Sequence, residues 1–189
     1  MKAEWSRIKK WFKANAPDKL DDLEDAADAD DLNDAEERLG VKFPKELRAF
    51  YRLQNGTMEF GVFPALEPEE MPFGPVELDD LSVPTSPDDV GSIKIEADPR
   101  VKPLYMSPKW FPFASNGGGD YLMLDYDPAA GGTAGQVIQW LHETSERRWV
   151  AASLEALLKQ VADGLDSGRY VYDEDGEDGL IHRSGSPAA

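Results

Sequence analysis

Apolar residues recur at helical spacing near the start of the chain: Trp5, Ile8, Trp11 and Phe12 fall on one side, Lys9, Lys10 and Lys13 on the other. This predicts a helix over roughly residues 2–15 with an aromatic stripe, ended by Pro17 and Asp18. An acidic stretch over 21–31 follows, anchored only by Leu20, Leu23, Ala26 and Ala27, and its pattern fits either a partly exposed helix or a loop. Asp30 or Asp31 is placed to cap a second helix carrying Leu32, Ala35 and Leu39, and Gly40 stands where a left-handed residue closes a helix. Pro44 suits the first turn of a third helix, whose apolar face is Leu47, Phe50, Tyr51 and Leu53 and whose stop signal is Asn55-Gly56.

From residue 59 the period shortens. Gly61-Val62-Phe63 reads as a short β segment, and residues 64–92 are crowded with proline and acid. An irregular segment of that length inside a compact domain is usually functional or mobile. Four runs rich in β-branched and aromatic residues, 110–115, 121–126, 136–141 and 148–151, are joined by short polar connections and predict an antiparallel meander. One connection, Asn116-Gly117-Gly118-Gly119, is expected to use positive φ angles. Ser153 caps a last helix bearing Leu154, Leu157, Leu158, Val161 and Leu165, stopped near Gly168. The expected fold class is therefore α+β: a single domain over 1–183, mostly antiparallel sheet with helices packed on one face, and a flexible tail over 184–189.

Charge changes the picture most. The 189 residues hold 20 Lys and Arg against 37 Asp and Glu, a net charge of −17. Such a field repels nucleic-acid phosphates and anionic lipid, and attracts basic proteins, so neither nucleic acid nor membrane is an expected partner. The plainer reading of the same acid is solubility. No cysteine is present, which excludes disulfides, thiolate chemistry and the usual structural zinc sites. The N-terminal pattern holds no apolar run long enough for a signal peptide or a membrane span, and a cytoplasmic location is expected.

Candidate chemistry is thin. Only His142 and His182 are available as bases, one at a strand end and one near the terminus, and there is no Gly-x-Ser-x-Gly elbow. Among 37 acids some pair falls at any spacing, so paired carboxylates carry no signal by themselves. Asp173-Glu174-Asp175-Gly176 departs from a calcium loop in the place of its glycine, and Gly117-Gly118-Gly119 leads into Asp120 and a strand where a phosphate cradle needs a Lys and a helix. No catalytic residue, metal ligand or cofactor is expected. Trp5, Trp11 and Trp110 read as core residues.

Several stretches in order resemble the SUKH superfamily, which contains the fungal cell-wall assembly regulator and many bacterial immunity proteins. They are Ala35-Glu36 through Leu39-Gly40, Phe43-Pro44-Lys45-Glu46-Leu47, Leu53-Gln54-Asn55-Gly56 and Trp110-Phe111-Pro112-Phe113-Ala114. Next come Gly119-Asp120-Tyr121-Leu122-Met123-Leu124-Asp125, Asp127-Pro128, Gly135-Gln136-Val137-Ile138, and Val150-Ala151 leading into 153–158. The resemblance covers about residues 30–165. It implies helices on one face of a mostly antiparallel sheet, and binding as the activity. The expected function is an immunity protein that neutralises a cognate protein toxin, such as a nuclease or another enzyme with a basic site, by covering that site with an acidic surface. The alternative is a non-inhibitory scaffold or regulatory adaptor in cell-wall or signalling assembly. The residues expected to meet the partner are Glu69, Glu70, Asp79, Asp80, Asp120, Asp127, Glu143 and Glu146, which lie in connections and at strand ends.

Overall fold

In the computed structural model, residues 1–57, 60–67, 70–82, 94–173 and 178–183 are described. Helix α1 (Lys2–Asn15) buries Trp5, Ile8 and Phe12, the stripe predicted from the spacing, and leaves Trp11 half-buried at its margin. Pro17 opens a 3-10 turn, Pro17–Leu20, and the acidic stretch beyond it runs as irregular chain to Asp28. Asp28, not Asp30 or Asp31, caps helix α2 (Ala29–Leu39): its carboxylate accepts the amides of Asp30 at 2.7 Å and Asp31 at 3.0 Å, while Asp31 accepts the amide of Asp28 at 2.8 Å. The reciprocal pair of Asp28 and Asp31 satisfies the amides at this helix start from both sides, which places the cap at Asp28. Gly40 ends the helix at φ 67°.

Helix α3 (Lys45–Tyr51) starts after Pro44 and stops before the Asn55-Gly56 signal. What that signal makes is a close crossing of two segments. Asn55 accepts the amide of Leu78 at 3.1 Å, and Gly56, at φ 106°, passes so close to the next segment that a Cβ would sit 2.7 Å from the amide nitrogen of Glu77. Only glycine tolerates both conditions.

The meander forms as expected: β3 (Trp110–Ser115), β4 (Tyr121–Asp125), β5 (Gln136–Trp140) and β6 (Glu146–Ala151) pair antiparallel in sequence order. Gly117 and Gly119 take φ of 72° and 102° in the connection between β3 and β4. Two short strands extend the sheet beyond the expectation. β1 (Gly74–Pro75) pairs antiparallel with β3, and β2 (Glu96–Ala97) pairs parallel with β6, giving the order β1-β3-β4-β5-β6-β2. Helix α4 (Leu154–Asp166) follows Ser153, whose hydroxyl accepts the amide of Ala156 at 3.1 Å. A further antiparallel pair, β7 (Tyr170–Asp173) with β8 (Gly179–His182), was not among the expected elements; Leu180 at its second strand donates to the carbonyl of Gly61 at 2.8 Å.

The sheet has two covered faces. Phe113, Leu122, Leu124 and Val137 join the helices' Trp5, Ile8, Leu32, Phe50 and Leu158 in the main core, so the helices lie on one face as expected. The other face carries Trp110, Met123, Ile138 and Trp140, and an irregular strap over 98–107 covers it through Val101, Tyr105 and Met106. Burying side chains of this size contributes about 1.5–3 kcal/mol each, which is why neither face is left to water. Among the described residues no helix is long and apolar enough to cross a membrane.

Candidate functional site

The residues that carry the family resemblance build the scaffold. Asp125, fully buried at the end of β4, accepts the indole N–H of Trp110 at 2.8 Å, the amide of Gln136 Nε2 at 2.8 Å and the backbone amide of Asp127 at 2.7 Å. Gln136 also donates to the carbonyl of Arg100 at 2.8 Å, fastening the strap. Gln54 Nε2 donates to the carbonyl of Glu24, and the amide of Glu24 donates to the carbonyl of Gly56 at 3.1 Å. A turn at one end of the helical layer thereby holds residues 24–26 as a ridge on the surface.

The acids expected to meet a partner divide into groups. Glu70 lies beside the sheet, where Gln139 Nε2 donates to it at 3.0 Å and Arg148 at 2.6 Å; Glu146 holds the same arginine at 2.7 Å. Asp120 organises the turn between β3 and β4, taking Asn116 Nδ2 at 3.0 Å and the backbone amide of His142 at 2.9 Å. The His142 ring lies 3.0 Å from Asp120 and 3.7 Å from the exposed Glu143, so these three share one end of the sheet. Asp127 sits at the opposite end of β4. Lys102 reaches it from the strap at 2.5 Å, and that hydrogen bond holds its carboxyl below the usual carboxylate range. Asp79 and Asp80 are exposed in the turn after β1. Glu69 lies outside the described residues.

Charge left uncompensated gathers elsewhere. A groove of about 500 Å3 opens between α2 and the ridge, lined by Glu24, Asp25, Asp31, Asp34, Arg38 and Asp79. Arg38 is turned away from the acids: its guanidinium donates to the carbonyls of Leu78 at 2.5 Å and Leu81 at 3.1 Å. Five carboxylates thus meet one guanidinium that is already engaged with the backbone. Of the expected partner-facing acids that are described, only Asp79 lines this groove. The others on its walls come from the acidic stretch over 21–31 and the exposed side of α2, and the density of acid in that stretch was the available signal. No group of three or more His, Asp or Glu among the described residues is placed to hold a metal ion. His182 lies 3.2 Å from the carbonyl of Ala65 and serves the packing of β8.

The chain is similar to known proteins over most of its length. The model of the family described as SMI1 / KNR4 family (SUKH-1) matches residues 26–160. A glucan synthesis regulatory protein of Neurospora crassa is 24% identical over 211 aligned residues, spanning 92% of this chain and 40% of that protein. A KNR4/SMI1 homolog of Yarrowia lipolytica is 35% identical over 78 residues, covering 41% of this chain and 11% of that protein. The chain therefore spans less than half the length of these curated relatives.

Proposed function

The chain belongs to the SMI1/KNR4 family (SUKH-1), and on that premise we propose that it is a non-catalytic regulatory domain that binds a basic segment of a partner protein in the acidic groove between α2 and the 24–26 ridge. The observation that carries this reading is the gathering of Glu24, Asp25, Asp31, Asp34 and Asp79 in one concave surface, while Glu70, Glu146 and Asp127 are paired with Arg148 and Lys102. Opposite charge speeds encounter and sets orientation, whereas affinity comes from a few desolvated anchors. The net charge of −17 disfavours phosphate polymers and anionic bilayers as the partner, and we place the action in the cytoplasm.

Regulation is favoured over toxin neutralisation because the Neurospora crassa relative is named for regulating glucan synthesis. The test is quantitative affinity capture from the source cells with the full chain and with a triple variant, Asp31→Asn, Asp34→Asn and Asp79→Asn. The expected result is a basic partner recovered by the unmodified chain, lost from the triple variant and weakened by salt. Equal recovery by both chains overturns the assignment of the groove. Co-expression of the captured partner then separates the two biological readings: killing relieved by this chain returns toxin neutralisation, and an altered cell-wall synthetic activity supports regulation.

A further inference from the structure

Basic charge is as unevenly placed as the acid. Helix α1 carries Lys2, Arg7, Lys9, Lys10 and Lys13 against one acid, Glu4. Arg7 is tied to Asp163 at 2.8 Å and Asp166 at 2.6 Å, but Lys9, Lys10 and Lys13 form no ion pair with any other described residue. In a chain with nearly two acids for every base, a run of unpaired lysines on one helix calls for a reason.

These lysines form one wall of a second groove, of about 570 Å3, on the other side of the 24–26 ridge. Its floor is apolar. Leu20, Leu23 and Leu53 pack their inner sides against the main core and turn their half-buried outer sides to the groove. The far wall is the ridge itself, held by the bonds from Glu24 and Gln54 described above and by the amide of Ala27 donating to the carbonyl of Tyr51 at 3.0 Å. The groove is therefore a fixed channel, with ammonium groups along one edge and leucines beneath.

We propose that this groove docks an acidic amphipathic segment of a protein partner, its apolar side chains on Leu20, Leu23 and Leu53 and its carboxylates against Lys9, Lys10 and Lys13. The occupant follows from the charge and shape together. Ammonium groups beside an apolar floor complement a segment with carboxylates along one side and leucine-like groups along the other. Glu24 and Asp25 on the opposite wall would face the phosphates of a nucleic acid or a lipid surface, whereas a peptide can present its acids to α1 alone. The inference goes beyond the acidic groove and does not depend on it, since the two surfaces lie on opposite sides of the ridge and select partners of opposite sign.

The test uses the full chain and a fluorescent synthetic peptide of glutamate and leucine at helical spacing, with a lysine-for-glutamate counterpart carrying the same leucines. By fluorescence anisotropy the acidic peptide should bind, and binding should weaken about tenfold in the variant Lys9→Gln, Lys10→Gln, Lys13→Gln, which alters surface positions only. Leu23→Ala should weaken it as well, and amide NMR shifts on titration should concentrate in α1 and residues 20–26. The Asp31→Asn, Asp34→Asn, Asp79→Asn chain should bind this peptide undiminished, so failure of the acidic-groove reading and failure of this one remain distinguishable. Unchanged affinity in the lysine variant, shifts centred elsewhere, absence of binding at millimolar peptide, or lysine-dependent binding to vesicles of anionic lipid in place of the peptide would each overturn the proposal.

Discussion

Two buried charges, Glu36 and Arg147, are stabilised in contrasting ways. The Glu36 side chain is 3% exposed and accepts Arg48 Nη1 at 2.5 Å, Lys42 Nζ at 2.7 Å and the amide of Phe43 at 3.1 Å, clamping the end of α2 to the start of α3. Burial alone would raise its pKa, but these bonds outweigh that effect and leave it below the ordinary carboxylate value. A depressed carboxyl pKa contributes stability that is fully present above the unfolded value of about 4.3 and is lost as pH falls through the lower folded value. Glu36→Gln should therefore cost most near neutrality, and the gap between variant and parent urea midpoints should close as the pH drops below about 4. Arg147, 1% exposed, has no carboxylate partner among the described residues. It donates to the carbonyls of Leu141, Glu146 and Tyr105 and lies over the rings of Trp140 at 4.9 Å and Tyr105 at 5.5 Å, and burial lowers its pKa to about 10, leaving it charged at neutral pH. Arg147→Met would strand those carbonyls and release the strap, at a cost of about 2–4 kcal/mol in chemical unfolding, with a shift in Trp140 fluorescence.

At the scale of elements, the long helices and the meander were legible because their signals are local: a 3.6-residue or two-residue period bounded by a cap or a glycine. Asp28→Ala removes one half of the reciprocal cap of α2 and should cost about 1 kcal/mol by thermal or urea unfolding. The pair β7–β8 was missed although Tyr170-Val171-Tyr172 and Leu180-Ile181 carry strand-like residues, because each run is too short to show a period beside so much acid. Tertiary contact decides it. Gly164 of α4 lets the Tyr170 ring lie flat on the helix, where a Cβ would stand 2.1 Å from the ring edge. Gly164→Ala should push that ring away, destabilise by about 1–3 kcal/mol and alter the near-UV circular dichroism of Tyr170. β1 and β2 were unreadable for another reason: two residues are too few to show any period, and their pairing depends on where β3 and β6 already lie.

Over the whole molecule, the net charge of −17 acts through its distribution. The acidic groove and the lysine groove share the 24–26 ridge, so a partner binding either one meets a steep change in potential within a few residues. At physiological salt charges are screened over about 8 Å, so the shared Glu24 and Asp25 act on both grooves while the remaining charges act mainly on their own. Raising the ionic strength from about 0.05 to 0.5 M should slow association with a captured basic partner far more than it speeds dissociation, as stopped-flow mixing would show.

Composition and pattern alone determined the α+β class, the meander, the last helix, the absence of thiol chemistry and the family likeness, since each depends on residue types or on neighbours close in the chain. Which acids stay free was decided only in three dimensions. Glu70 and Arg148, or Lys102 and Asp127, are far apart in sequence and meet because the sheet and the strap bring them together. No local period encodes such pairing: charge neutralisation depends on distances of a few ångströms, and the fold sets those distances after the sequence has supplied the charges.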